Sequence, residues 1–234
     1  MTTRRNFLSL SAAGGGIGLL AGTGWSVVDA QDAPDQLLQQ LIDEQRRLVA
    51  QHKTRPRVDV LAALASNHRT MAAYFRERGD AVVQSGLRRV RLQVGRDALI
   101  ERARSQEMLD HLHHAFAEIG INHLMAVPPY EMFQKALDEA ETLGLSAMLM
   151  RSAQDLDTVW RKVASLQARQ GGAIRLIQSD SASCSYYSEQ CTYWSAWAGL
   201  LCSAAFFFYP LGYTCAGATL SAGFYCLAMY DYCF

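Results

Sequence analysis

The residues of this chain best equipped for chemistry are six cysteines at 184, 191, 202, 215, 226 and 233, whose successive steps of 7, 11, 13, 11 and 7 form a palindrome. Cysteines pair, bind metals or attack electrophiles. Zinc sites favour closely spaced Cys-x-x-Cys ligands, and that spacing does not occur here. The palindrome favours nested pairing instead, Cys184–Cys233, Cys191–Cys226 and Cys202–Cys215, about a midpoint between Phe208 and Tyr209. Six cysteines allow fifteen connectivities, so backbone geometry serves as an independent test. At about 100° per residue, steps of 7, 11 and 18 return to within roughly 20° of the starting direction, which puts the three cysteines of each arm on one helix face. Odd steps along a strand would alternate faces. The spacing therefore predicts a hairpin of two helices stapled three times, turned at Phe208-Tyr209-Pro210-Leu211-Gly212.

The other candidates are weaker. Asp110-His111-Leu112-His113-His114 places imidazoles at i and i+3, on one helix face, with His123 further along the chain. Leu109, Leu112, Phe116 and Ile119 form an apolar stripe on the same helix, which assigns His111 and His114 to its solvated side. Asp138, Glu139 and Glu141 read as a solvated charge face of another helix. There is no Gly-x-Ser-x-Gly elbow, phosphate-binding glycine loop, His-Glu-x-x-His or dinucleotide fingerprint. The expectation is a protein that is not an enzyme, with no catalytic, cofactor or metal residues.

The elements that must carry the cysteines belong to a chain of two unlike parts. All 22 Lys and Arg lie at or before Arg175, whereas the cysteines and 15 of the 23 aromatic residues lie at or after Cys184. The net charge is zero and shows no basic stripe, which excludes nucleic acid as a partner. Between residues 31 and 180, helical periodicity covers 36–51, 60–78, 98–119, 131–143 and 156–169, and short apolar or alternating runs at 89–94, 121–127, 145–150 and 173–177 read as strands. Alternating helices and strands predict an α+β or α/β middle domain, mostly helical.

In the tail, the seam through the cysteines is built of small residues: Ser188, Ser195, Ala198 and Ala205 on one arm, Thr219 and Ala222 on the other, with Met229 the exception. Small residues let helices approach closely. The large side chains, among them Trp194, Trp197, Phe206, Phe207, Phe224 and Tyr225, then point outward and require lipid or a protein partner. From Gln190 to Tyr230 the chain is uncharged for 41 residues, about two membrane-spanning lengths. Flanked only by Glu189 and Asp231, it is not a cationic amphipathic peptide.

At the N-terminus, Arg4-Arg5 followed by Phe7-Leu8 and the charge-free stretch Ser9–Val28 resembles a twin-arginine export signal, with cleavage expected after Ala30. Signal, soluble region and apolar cysteine-rich tail together resemble the microhalocin precursors of haloarchaea. That resemblance implies a bacteriocin-like, membrane-active peptide released from an upstream immunity or pro-region. The chain has fewer cysteines than the usual peptide of that family and lacks its acidic composition. The expected organisation is signal 1–30, pro-region or immunity domain 31–180 and peptide 181–234. The protein would be secreted, and its partners would be the twin-arginine export machinery, a processing protease acting in 178–183, and either a target-cell membrane or the pro-region itself. The alternative is a non-toxic envelope protein anchored by its C-terminal hairpin.

Overall fold

The computed structural model describes residues 36–51, 54–55, 57–118, 127–169 and 181–233. Among these residues every regular element is helical: α1 (Gln36–Ala50), α2 (Arg57–Tyr74), α3 (Asp80–Val94), α4 (Arg96–Ala103), α5 (Gln106–Glu118), α6 (Tyr130–Thr142), α7 (Gly144–Arg169), α8 (Ser181–Ala205) and α9 (Gly212–Cys233). A π-helical turn, Phe75–Gly79, joins α2 to α3. The expected export residues Arg4, Arg5, Phe7 and Leu8, and the expected strand 173–177, lie outside the described residues.

The α+β reading is therefore corrected: two of the expected strands are helix, and no strand occurs among the described residues. At 89–94 the alternation came from Val90, Leu92 and Val94, yet Leu92 is 78% exposed, whereas Val83, Leu87 and Val90 are buried with Val94 packed against them. Those four positions step by 4, 3 and 4, the stripe of a helix. At 145–150 the buried set continues as Leu145, Met148, Leu149, Ser152, Ala153 and Leu156, again helical. A six-residue window holds less than two helical turns, so periods of 2 and 3.6 separate only when the phase is followed further. Of the expected strand 121–127, only Val127 is described, and it is exposed.

The hairpin of α8 and α9 sits at the centre. Its staples pair Cys184 with Cys233, Cys191 with Cys226 and Cys202 with Cys215, at Cα separations of 5.1, 4.6 and 4.6 Å. Phe206–Phe208 and a short 3-10 turn, Tyr209–Leu211, reverse the chain. Along the seam, the Ser195 hydroxyl lies 3.8 Å from Cys226 Sγ and the Thr219 hydroxyl 3.6 Å from Cys202 Sγ, a closeness that only small side chains permit. Around the hairpin, α1 and α5 pack on α9, and α4, α5 and α6 pack on α8. One continuous core runs from Leu38 in α1 to Ala228 in α9. No helix among the described residues is long and apolar enough to cross a membrane, because Ser, Thr, Gly and Tyr dilute the hydropathy of the uncharged run.

The wrap is punctuated by local devices. Gly144, at φ +78°, ends α6 in the left-handed conformation and leads directly into α7. There the Asp80 carboxylate of α3 accepts from the Ser146 amide at 3.0 Å and from the Ser146 hydroxyl, meeting the positive end of α7. A Cβ on Gly144 would come 2.5 Å from Asp80 Cγ. Gly144→Ala is therefore expected to cost about 2 kcal/mol, combining left-handed backbone strain with loss of the cap. Urea denaturation of the variant checks this, and an unchanged midpoint would refute it.

Candidate functional site

The aromatic faces of the hairpin are covered by the helices upstream of it. Trp194, Trp197, Phe224 and Tyr225 are each at most 1% exposed. Phe207 is half-buried and Phe206 is 36% exposed at the turn, where the Arg102 guanidinium lies 4.5 Å from the Phe206 ring centroid and 5.6 Å from that of Phe207. The side chains expected to need lipid or a partner thus meet α1–α7 of the same chain.

Across this boundary runs a buried polar network. His68 on α2 is its hub, with Nδ1 2.9 Å from the Ser152 hydroxyl of α7 and Nε2 3.0 Å from Nε2 of Gln45 on α1. Gln45 donates its amide to the Ser221 hydroxyl of α9 at 2.8 Å, and Ser152 lies 2.6 Å from the Tyr225 hydroxyl, also on α9. One assignment of protons satisfies the chain of contacts. Gln45 donates to the unprotonated Nε2 of His68, His68 donates from Nδ1 to Ser152, and Ser152 donates to Tyr225. His68 is then neutral, in keeping with burial, which lowers its pKa to about 4. Trp194 of α8 stacks on Tyr225 with rings 7° from parallel and 6.4 Å apart, and lies 6.2 Å from His68. Burial also raises the Tyr225 phenol, so it stays protonated as a hydrogen-bonding group.

A second link joins α8 to α6 and α7. Tyr193 donates to Glu139, whose carboxylate lies 3.7 Å from Arg151, and the Lys135 ammonium stands 5.4 Å from the Tyr193 ring centroid. Burial first, and then the bond to Glu139, raises the Tyr193 pKa. This corrects the solvated reading of the carboxylate group. Glu139 and Glu141 have side chains only 16% and 14% exposed, and Glu141 pairs with Arg91 at 2.8 Å; only Asp138, paired with Arg96, keeps an exposed side chain.

The Ser152–His68 separation is that of a nucleophile and its base. Yet Ser152 is 2% exposed, the far nitrogen of His68 faces an amide rather than a carboxylate, and the adjoining cleft beside Arg151, Asp155 and Tyr193 holds only about 200 Å³. Drug-sized ligands occupy roughly 300–1,000 Å³. The geometry suits a latch: five polar side chains from four helices tie the hairpin to its wrap through hydrogen bonds to one another, with the Gln45 carbonyl oxygen alone among them left buried and unbonded.

Sequence reasoning singled out the histidines near 111 and missed His68. A signal was present: Gln45 sits on the stripe Leu38, Leu41, Ile42, Leu48, Val49, and His68 on the stripe Leu61, Leu64, Ala65, Met71, Ala72, Phe75. A polar residue in phase with a buried stripe must find a buried partner. The reading of His111 as solvated is corrected as well: it is half-buried, on the side of α5 that meets the hairpin, whereas His114 is exposed. Leu109, Leu112 and Phe116 are buried, and Ile119 and His123 lie outside the described residues.

Comparison with protein-family models, with curated proteins and with solved structures found no match.

Proposed function

We infer that the chain is an exported precursor of a disulfide-rich, membrane-active peptide of the bacteriocin kind, in which the upstream helices shield the hairpin until proteolysis separates the two. The carrying observation is a hairpin uncharged from Gln190 to Tyr230, whose tryptophans and inner aromatics are covered by helices of the upstream part of the chain, which bears every Lys and Arg. Three disulfides fit an oxidising, exported setting. The paired arginines Arg4 and Arg5 supply the route, and the microhalocin-like layout supplies the role. Removing the wrap would expose two tryptophans and the α9 aromatics on a scaffold that its staples hold together, and such a surface partitions into a membrane through apolar area rather than charge.

Mass spectrometry of culture supernatant tests this. The expected result is a peptide beginning within 178–183, containing Cys184 to Cys233 and carrying three disulfides, with growth inhibition of neighbouring cells in the same fraction. Recovery of the uncleaved chain alone would overturn it. That outcome would favour a second reading, supported by the single core shared between hairpin and wrap, in which the hairpin is the permanent centre of a stable exported domain. The envelope-anchor alternative predicts instead that the protein stays wholly with membranes on fractionation and inhibits no neighbours.

A further inference from the structure

The innermost staple has a histidine beside it. A ring nitrogen of His111 on α5 and the sulfurs of Cys202 on α8 and Cys215 on α9 all lie within 4.8 Å of one another. Among the described residues no other three metal-ligating side chains converge in this way, so the feature belongs to this staple and not to disulfides next to a helix in general. While the sulfurs are bonded to each other, neither is a thiolate and the group has only the imidazole to offer. We propose that the Cys202–Cys215 staple is exchangeable with a metal clip, and that on reduction His111, Cys202 and Cys215 bind a zinc ion in its place.

The chemistry balances. A dithiol or phosphine reductant supplies two electrons, the S–S bond breaks and two protons complete two thiols; zinc then displaces both thiol protons to solvent and binds two thiolates and a neutral imidazole. The dication and two thiolates sum to zero charge, which suits a site where Cys202 is buried. Zinc–sulfur bonds of about 2.3 Å put tetrahedral ligands about 3.8 Å apart, so the sulfurs need only separate by side-chain rotation across Cα atoms 4.6 Å apart. Three protein ligands leave the fourth position to water. The clip would hold the same two helices at the same level as the disulfide, keeping the hairpin closed at its turn in a reducing compartment. Most of the core shared with α1–α7 is built of aliphatic and aromatic side chains rather than cysteines, and it is this packing that would keep His111 in reach after reduction.

The test uses the full chain, reduced with a phosphine under argon, with and without one equivalent of Zn²⁺, followed by timed alkylation and peptide mapping. Zinc is expected to slow alkylation of Cys202 and Cys215 by about tenfold or more while leaving the other four cysteines within about twofold. Co²⁺ in place of zinc should give a thiolate charge-transfer band, absent from the oxidised chain. His111→Ala, checked for unchanged helicity by circular dichroism in its oxidised form, should lose both the protection and the band. Protection that is absent, falls on another pair of cysteines, or persists in His111→Ala would overturn the proposal. The wild-type mapping decides by itself if the variant fails to fold.

Discussion

Trp194→Ala is expected to destabilise the protein by about 3–5 kcal/mol, the usual range for truncating a fully buried tryptophan. Trp194 is 1% exposed on the face of α8 that its partners cover, and it is stacked on Tyr225 with its edge toward Tyr193, whose ring centroid is 6.3 Å away at 82°. Alanine forfeits those aromatic contacts and leaves a cavity bounded by α8, α9 and His68 of α2, of which the two hairpin walls are held by the staples and have little freedom to collapse. Urea unfolding should show a lower midpoint with an unchanged slope. Leu92→Ala, at an exposed position of α3, is the control and should stay within about 0.5 kcal/mol of wild type. A Trp194→Ala loss under about 1 kcal/mol would mean that the hairpin is not held by this face.

Acid should weaken the wrap through His68. Burial holds its folded pKa at about 4, below the 6.5 of an unperturbed imidazole, so the unfolded chain takes up the proton first. The contribution of neutral His68 is fully present above pH 6.5, declines as pH falls and is lost by about pH 4, amounting to about 3 kcal/mol from that shift. Asp155 acts in the opposite direction: burial raises its folded pKa, so its own contribution grows as the carboxyl is protonated. The measurement is therefore a difference. Stability should fall between pH 6.5 and 4 more steeply in wild type than in His68→Gln, which keeps a polar side chain but does not titrate. Parallel pH profiles for the two proteins would show that His68 is not the buried neutral hub.

These two effects act on the boundary between hairpin and wrap, which was the least legible part of the sequence. The hairpin itself was legible because its constraints are local and periodic. Cysteine steps of 7 and 11 share a helix face, small residues mark the seam, and Pro210 marks the turn. Most helices of the wrap were legible for the same reason: the stripes of α1, α2, α5 and α6 run long enough to establish a period. Where the periodicity was sampled over six residues, as at 89–94 and 145–150, the exposed Leu92 and the adjacent Met148 and Leu149 imitated a strand. Following the phase into the flanking turns removes the ambiguity.

His68, Gln45 and Ser152 each occupy a buried stripe, and from the sequence alone each is a polar anomaly with no partner. Their partners lie 23, 84, 73 and 176 residues away, and those pairings exist only once α1, α2, α7 and α9 have been brought together. His111 likewise gains its sulfur neighbours only where α5 crosses both arms of the hairpin. The sequence by itself determined that the tail would be a helical hairpin, uncharged from Gln190 to Tyr230, with an aromatic exterior in need of cover, since helical period, residue size and charge act along the chain. Only the tertiary structure decided that the cover is the chain's own upstream helices, because burial is a property of which surfaces meet, and that depends on contacts between residues far apart in sequence.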